Sequence, residues 1–252
     1  MTPEETILKK RFADLKRQSE LNNRYTYSGF LNLAEQELFY QTMPQIPVQE
    51  FRLWGGFTDA ERKVLRFGSP ETLWYDEDFP LTCIVMKPVS VKFAEKLSHR
   101  DVLGALMNLG IERSLLGDIV IKESCCYVMC LTRIADFIMR ELSRIKHTDV
   151  TCSLSETIPE DAAPDLLELS LIVTSLRADG LVSKVFHLSR NESDMMFSRK
   201  MVFVNGREVP KSSANLKPGD VVSVRGYGKF RFSDVSHETK KGNLRVTVYK
   251  YI

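Results

Sequence analysis

Two tight-turn signals that lie close together constrain the fold of this chain more than any other feature. Asn205-Gly206 and Pro218-Gly219 interrupt the run VFVNGREVPKSSANLKPGDVVSV, which extends from Val202 to Val224 and is rich in strand-forming residues. Asn-Gly is the typical sequence of a two-residue hairpin turn, and Pro-Gly suits a type II turn because glycine accepts a positive φ. The run therefore predicts a small antiparallel β element near the carboxyl end.

Two short helices are predicted just before this element. The first extends from about Ala178 to Phe186, and the second begins at Ser189, where Glu192 completes a capping box. Helix, helix and hairpin in quick succession predict a compact module in the last third of the chain.

Charge divides the chain near Ser170. The whole chain of 252 residues has a net charge of +2, but residues 1–170 carry 20 Lys and Arg against 26 Asp and Glu. Residues 171–252 carry 15 Lys and Arg against 7 Asp and Glu, which leaves this part at +8. A basic part of this kind either binds a polyanion or presents a solvated basic face without a partner.

A linker is predicted between the two parts. The segment between His147 and Leu176 contains no Lys or Arg, and it includes acidic residues together with Pro159 and Pro164. Acidic, proline-containing segments are typical of connections between domains.

Residues 1–74 are predicted to form an α/β region. Its elements are a helix that begins at Thr2 and Pro3, a helix near Asn32 to Gln41, a strand at Val48 to Trp54, and a helix AERKVLRF capped by Thr58. In the last helix, at least two of Arg62, Lys63 and Arg66 would share a face. That face would either contact RNA or be solvated.

Residues 75–165 alternate between strand and helix patterns. The predicted order is the strand LTCIVMKP, the helix RDVLGALMNL, paired strands at Ile119 to Ile121 and Cys126 to Leu131, the helix TRIADFIMRELSRI, and a strand at Val150 to Leu154. This βαββαβ order predicts a ferredoxin-like sandwich and, for the whole chain, the α+β class.

Composition excludes several classes of protein. No apolar run approaches the ~18 to 20 residues that span a bilayer, and the start MTPEETILKKRF lacks the features of a secretion signal. The five cysteines lack the paired spacing of a zinc site. We therefore expect a cytoplasmic protein with reduced thiols, no metal, no cofactor and no membrane partner.

Four short motifs lie between Ser175 and Arg225, and they are Arg177-x-Asp179, Ser189-Arg190, Val202 to Gly206, and Lys217 to Asp220. Together they resemble the alpha-L RNA-binding domain, the type first described in ribosomal protein S-four. The resemblance implies an RNA-binding domain at residues 171–252, with its core motif at 175–225.

Motifs elsewhere extend the resemblance over nearly the whole chain. WGGFTDAER (54–62), HRDVLGALMNLGI (99–111), LGDI (116–119) and SVRGYGKF (223–230) are similar to the bacterial YlmH family. The family implies an N-terminal region, a ferredoxin-like middle and an alpha-L domain. It further implies binding of transfer RNA and large-subunit ribosomal RNA when translation stalls and a tail is added to the trapped nascent chain. A link to cell division has also been attached to the family.

The candidate RNA-binding residues lie on the two short helices, on the hairpin and in the loop after it. A helix N-terminus attracts phosphate, and arginine forks bind phosphate oxygens in pairs. The candidates are Arg177, Asp179, Lys184, Ser189, Arg190, Arg199, Lys200, Asn205, Arg207, Lys211 and Ser212. Arg177 and Asp179 could instead pair with each other or cap the first helix, Arg190 could be solvated surface, and Asn205 is primarily structural. Acidic Glu192 and Asp194 limit how much of the second helix faces RNA.

Two other functions compete with plain RNA binding. The first is a pseudouridine synthase, because the catalytic aspartate of these enzymes lies in a sequence context that Arg177-Ala-Asp179 weakly resembles. A catalytic domain needs ~150 to 200 residues, and only residues 180–252 follow Asp179. A protein-interaction scaffold, with the acidic residues 1–170 as its binding surface, is compatible with RNA binding. We expect no enzymatic activity and a monomer when the protein is free.

Overall fold

The chain forms two compact units. The computed structural model describes residues 2–159, 166–209, 211–238 and 242–251. Unit 1 is Met1–Ala163 and unit 2 is Pro164–Ile252. Both units mix helices and sheets, which confirms the α+β class.

Unit 1 begins with a layer of two helices on a small sheet. The helices are Pro3–Asn22 (α1) and Leu33–Thr42 (α2), and the strands are Thr26–Leu31 (β1), Phe51–Trp54 (β2) and Lys63–Phe67 (β3), followed by the single-turn helix Pro70–Leu73 (α3). The predicted starts of α1 and α2 are confirmed, because Thr2 with Glu5 and Asn32 with Glu35 form capping boxes. Residues 48–50 form a 3₁₀ turn, so the predicted strand at Val48 to Trp54 is shorter than expected.

The predicted helix AERKVLRF is wrong. Its second half is β3, which lies between β1 and β2 in the sheet. Val64, Leu65, Arg66 and Phe67 are all buried, as in a central strand covered on both faces. Burial on both faces removes the alternation by which a strand is recognised, and an apolar run with one charge then resembles a helix.

Arg62 and Arg66, two of the three cations of this segment, form hydrogen bonds within unit 1, so both the predicted RNA contact and the predicted solvated face are wrong for them. Arg62 donates hydrogen bonds from its guanidinium to the carbonyls of Phe30, Arg113 and Leu116. The guanidinium of Arg66, which is 6% exposed, lies 4.4 Å from the ring centroid of Tyr25 and donates to a carboxylate and a carbonyl in the following segment.

The second layer of unit 1 has the predicted βαββαβ order, with one added two-residue strand before the last strand. Its elements are Leu81–Pro88 (β4), His99–Asn108 (α4), Leu116–Lys122 (β5), Cys125–Leu131 (β6), Ala135–Glu141 (α5), Arg144–Ile145 (β7) and Thr148–Ser155 (β8). The antiparallel sheet runs β5-β6-β4-β8-β7. The predicted helix TRIADFIMRELSRI is shorter than expected, because the chain leaves α5 at Leu142 and pairs with β8 as β7.

The two faces of this sheet are both covered within unit 1. On one face, Val102 and Leu106 of α4 and Ile138 of α5 pack in the same apolar cluster as Ile84 and Val128. On the other face, the cluster joins Cys83, Met129 and Leu131 to Phe30 of β1 and Val64 of β3. Some ferredoxin-like folds bind RNA on a bare sheet, but here the N-terminal layer covers that face.

Unit 2 places two helices on one face of a longer sheet. Its elements are Leu166–Val173 (β9), Ala178–Phe186 (α6), Arg190–Ser198 (α7), Val202–Val204 (β10), Arg207–Glu208 (β11), Val221–Val224 (β12), Gly228–Glu238 (β13) and Leu244–Tyr251 (β14). The sheet order is β11-β10-β12-β13-β14-β9. Asn205 and Gly206 have φ of 50° and 76°, as a two-residue hairpin turn requires, and Gly219 has φ of 94°, so both predicted turns are confirmed.

The segment between His147 and Leu176 is mostly strand, so its interpretation as a linker is wrong over β8 and β9. Antiparallel pairing extends along β9 from Leu166 to Val173, each residue opposite one in β14. Residues 160–165, where the acidic and proline-containing part of the predicted linker lies, are outside the described residues.

Buried thiols in unit 1 give a first testable prediction. Burial raises the pKa of Cys83 and Cys126 to about 11 and that of Cys130 to about 12. Because a thiol below its pKa is protonated and the thiolate is the nucleophile, these three cysteines should react very slowly with iodoacetamide at about pH 8. Peptide mapping of the native and the urea-unfolded protein measures this, with the half-buried Cys125 as the internal comparison. Rapid labelling of Cys130 in the native protein would contradict the buried placement.

Candidate nucleic-acid interface

A groove in unit 2 brings together the cations of both short helices. The groove has a volume of about 760 Å³ and lies between α6, α7 and the end of β9. Its lining includes Arg177, Lys184 and Arg190, together with the acidic side chains of Asp179 and Asp194. Lys184 and Arg190 are exposed. The groove thus brings cationic side chains from the two helices, the kind that pairs with phosphate oxygens, onto one concave surface.

Arg177 and Asp179 pair with each other, which is one of the alternatives to RNA contact that the sequence left open for these two residues. Nε and Nη2 of Arg177 lie 3.0 Å and 2.5 Å from the two oxygens of Asp179, a bidentate contact. The hydrogen bond from Arg177 lowers the pKa of Asp179, so this carboxylate is ionised at neutral pH. The backbone N–H of Gly180 donates to the same carboxylate at 2.8 Å. Asp179 therefore orients Arg177 at the groove wall and offsets part of its charge.

The N-terminus of α7 is already occupied by an acidic side chain. Ser189 accepts a hydrogen bond from the N–H of Glu192 at 3.2 Å, and Glu192 accepts one from the N–H of Ser189 at 2.8 Å. These bonds lower the pKa of Glu192, so its negative charge lies where a phosphate would be attracted. The capping box is confirmed, and the exposed side chain of Arg190 is the cation at this helix end.

The loop that contains Lys211 and Ser212 is attached to the start of α6. The N–H of Asp179 donates to the carbonyl of Ser212 at 3.0 Å, and the N–H of Ala178 donates to that of Ala214 at 2.8 Å. Lys211 is exposed on this loop. These bonds place Lys211 and Ser212 beside the Arg177–Asp179 pair.

The remaining candidates lie away from the groove, toward the opposite edge of the sheet. Arg199 and Lys200 follow α7, whose nine residues extend roughly 14 Å from Arg190. Arg207 is on β11, the edge strand farthest from β9. Lys200 lies 3.3 Å from Glu208, also on β11. The candidates therefore form a groove group and an edge group.

Asn205 has a structural role in this edge group. Its amide donates to Asp220 at 2.9 Å and accepts from the N–H of Val221 at 2.9 Å. It thereby joins the hairpin turn to the second tight turn, as expected for a primarily structural residue.

Sequence reasoning missed the residue that holds the two helices together at the groove. The hydroxyl of Ser193, which is 1% exposed, donates to the carbonyl of Asp179 at 2.9 Å. A serine on the apolar side of a helix is a signal for such a bond, because buried hydroxyls are almost always paired.

Across the described ranges, no group of three His, Cys, Asp or Glu side chains is arranged to hold a metal ion. None of the helices in these ranges has the length and apolar character needed to cross a bilayer.

A relative from Bacillus subtilis strain 168 matches almost the whole chain. It is named ribosome-associated protein quality control protein P2, and it is 30% identical over 240 residues, which cover 92% of this chain and 90% of the relative. Residues 75–158 match the family model described as "Putative RNA-binding domain in YlmH". The chain belongs to the YlmH family.

Two further similarities are more limited. The small ribosomal subunit protein uS4 of Chromohalobacter salexigens is 43% identical over 63 residues, 25% of this chain and 31% of the relative. A solved structure, the cell division protein ylmH from Streptococcus pneumoniae, aligns at 19% identity with a TM-score of 0.49, covering 66% of this chain and 97% of that one. Membership of the YlmH family therefore rests on the match to the Bacillus subtilis relative.

The family model places the description RNA-binding on a region for which sequence reasoning named no RNA contact. Residues 75–158 contain β4 to β8 with α4 and α5, and all of them belong to unit 1. The sheet face opposite these helices is packed against the N-terminal layer. Any RNA contact of this region would therefore use its helices, loops or sheet edges.

Proposed function

We propose that this YlmH-family protein binds RNA on the ribosome without catalysing a reaction. It holds ribosomal RNA and transfer RNA on the large subunit when stalled translation is handled, and it acts in the cytoplasm, where ribosomes are. The observation that carries this proposal is the groove in which Arg177, Lys184 and Arg190 line one cavity. The name of the Bacillus subtilis relative, the RNA-binding description of the family model and the match to uS4 support it.

We propose three domains: an α/β domain at 1–74, a ferredoxin-like domain at 75–165 and an alpha-L RNA-binding domain that contains the predicted range 171–252 and begins slightly earlier. The order β5-β6-β4-β8, with α4 and α5 as connections, supports the middle assignment. The α6–α7 pair followed by the β10–β11 hairpin supports the last one. Since β9 pairs with β14 throughout, the last domain includes the chain from Leu166.

The groove would bind phosphates rather than read bases. Lys184 and Arg190 would each neutralise a backbone phosphate, and Arg177 would contribute a guanidinium whose orientation Asp179 holds. Phosphate contacts set the position and orientation of a protein on RNA without selecting sequence. Selectivity would then come from the shape of the folded RNA.

A single alanine substitution in the groove tests the proposal. Arg190→Ala should weaken binding of structured RNA by ~1 to 2 kcal/mol and reduce the slope of log affinity against log salt by about one counterion. A filter-binding titration at several salt concentrations with a transfer RNA measures both quantities. An unchanged affinity and slope would remove Arg190 from the interface.

A fragment of unit 2 tests whether the groove is sufficient. Residues 164–252 contain the complete sheet and its own apolar core, so the fragment should fold and keep most of the affinity for transfer RNA. A fragment that began at Leu171 would cut β9 and should fold poorly. If 1–163 carried the affinity and 164–252 did not, the binding surface would lie in unit 1.

The enzymatic alternative would require Asp179 as a nucleophile. Its carboxylate is held by Arg177 and by the N–H of Gly180, so it acts as an orienting group in this structure. Incubation with bulk RNA followed by nucleoside analysis should give no modified uridine. Formation of pseudouridine that depends on Asp179 would replace the binding proposal with the enzymatic one.

A further inference from the structure

The sheet of unit 2 has a second face that the groove does not use. Val222, Val224, Phe230, Phe232 and Val248 are 0 to 2% exposed and belong to the core beneath α6 and α7. Side chains alternate along a strand, so the residues between them lie on the opposite, outer face of the sheet. These intervening residues are cations, tyrosines and small polar residues.

Three cation–aromatic pairs form a continuous band on this outer face. The guanidinium of Arg225 lies 4.7 Å from the ring centroid of Phe203, the ammonium of Lys229 lies 4.3 Å from that of Tyr251, and the guanidinium of Arg231 lies 5.6 Å from that of Tyr249. We call Phe203, Arg225, Lys229, Arg231, Tyr249 and Tyr251 the outer-face stripe.

The strand register explains why the pairs adjoin one another. Arg231 lies directly opposite Tyr249, and the same register between β13 and β14 sets Lys229 opposite Tyr251. Ser223 of β12 lies between Phe203 and Lys229, because it pairs with both. The stripe therefore crosses β10, β12, β13 and β14 without a break.

The charge of the stripe favours a polyanion. Its three charged members are all cations. The acidic neighbours on the same face lie around it: Glu208 opposite Phe203 and Glu168 opposite Tyr249 on the two edge strands, and Asp234 beyond Arg231 on β13. An acidic peptide would offer carboxylates to the cations but nothing that stacks on three flat rings. Single-stranded RNA offers phosphates for the cations and unstacked bases for the rings.

We propose that the outer-face stripe binds a single-stranded segment of RNA. About two or three bases stack on the rings, the number that aromatic side chains hold on other RNA-binding sheets. The cations beside the rings contact the adjacent phosphates. The inference rests on the proposed RNA-binding function but uses none of the groove residues, so the protein would hold a folded RNA at one surface and an unpaired strand at the other.

Ring-removing and ring-keeping variants of the full-length protein test the inference. Tyr249→Leu with Tyr251→Leu removes two rings, whereas Tyr249→Phe with Tyr251→Phe keeps both. The probes are a fluorescein-labelled oligouridylate of about 12 nucleotides, within the usual range of single-strand sites, and a perfectly paired RNA hairpin in which a polyethylene glycol linker replaces the loop nucleotides. Fluorescence anisotropy gives affinities, and circular dichroism establishes that each variant is folded.

The double leucine variant should bind the oligouridylate at least about tenfold more weakly, with the hairpin affinity unchanged, because duplex bases have no exposed faces. The double phenylalanine variant should bind both probes like the wild type. Arg231→Gln should lower the salt slope for the oligouridylate by about 0.7.

Several results would overturn the inference: an equal loss on both probes, an oligouridylate affinity that is unchanged in the leucine variant, or this unchanged affinity together with reduced co-sedimentation with ribosomes. The last result would indicate a protein partner. Arg190→Ala separates the two surfaces, since it should weaken binding of structured RNA and leave the oligouridylate unaffected. If the wild-type protein bound the hairpin but not the oligouridylate, the proposed function would stand and only the role of the outer-face stripe would be rejected.

Discussion

Replacing both Lys184 and Arg190 by glutamate should lower the affinity for structured RNA by about a hundredfold. Both side chains are exposed, and both line the groove of about 760 Å³. Each substitution removes a phosphate contact and adds a repelling charge beside Asp179 and Asp194, which the two cations now offset. The fold should be unaffected, because neither side chain is part of the apolar core.

A matched control separates the groove from the net charge of the protein. Lys10→Glu with Arg11→Glu makes the same change in charge at exposed positions on α1 of unit 1. Transfer RNA binding at about 0.15 M salt, where the screening length is about 8 Å, reports mainly local charge. If the two double variants lost affinity equally, long-range attraction and not the groove would account for RNA binding.

Replacing Asp118 by alanine should lower the free energy of unfolding of unit 1 by about 3 kcal/mol. The carboxylate of Asp118 on β5 accepts hydrogen bonds from the N–H groups of Glu61 and Arg62 at 2.6 Å and 3.1 Å. It thus attaches the loop before β3 to the second sheet. Its loss would leave those two N–H groups without this acceptor.

Two arginines beside Asp118 increase the expected cost. Burial lowers the pKa of Arg62 and lowers that of Arg113 to about 10, which shows that both guanidinium groups are partly desolvated. The charge of Asp118 raises both pKa values, so it stabilises the two cations. Without Asp118 these cations would lie close together with less compensation, and a partly buried charge without its partner is strongly destabilising.

Tryptophan fluorescence during urea unfolding measures this effect in unit 1 alone, because both tryptophans, Trp54 and Trp74, lie there. Asp118→Asn keeps one acceptor oxygen and should give an intermediate loss. Glu141→Ala, at an exposed position of the same unit, should change stability by less than about 0.5 kcal/mol. A loss for Asp118→Ala no larger than that of Glu141→Ala would show that the contact contributes nothing measurable.

Local signals in the sequence were sufficient for most of unit 2. Ser189 with Glu192, Asn205-Gly206 and Pro218-Gly219 each act through bonds within a few residues, and each forms as predicted. In unit 1, the capping boxes at Thr2, Asn32 and Ser98 likewise consist of bonds within a few residues. These elements depend on backbone chemistry that does not require a distant partner.

Long-range packing determines the two strands that the sequence did not predict, β3 and β9. The strand β3 resembles a helix in sequence because the layers on both of its faces are apolar. Arg66 can be buried in this strand because Asp76 and the carbonyl of Glu77 accept hydrogen bonds from its guanidinium. The strand β9 exists because β14, more than 70 residues later, supplies its hydrogen-bond partners. No local pattern indicates such partners.

The sequence by itself determined the class of the protein, the basic character of its last third, both tight turns, and the family to which the chain belongs. The tertiary structure decided which of those basic residues act together. Arg177, Lys184 and Arg190 share a groove because α6 packs against α7, whereas Arg207 lies at the far edge because strand order, and not distance along the chain, sets neighbours in a sheet. The outer-face stripe arises in the same way, since its cations and rings come from separate strands and meet only through the register of β10 to β14.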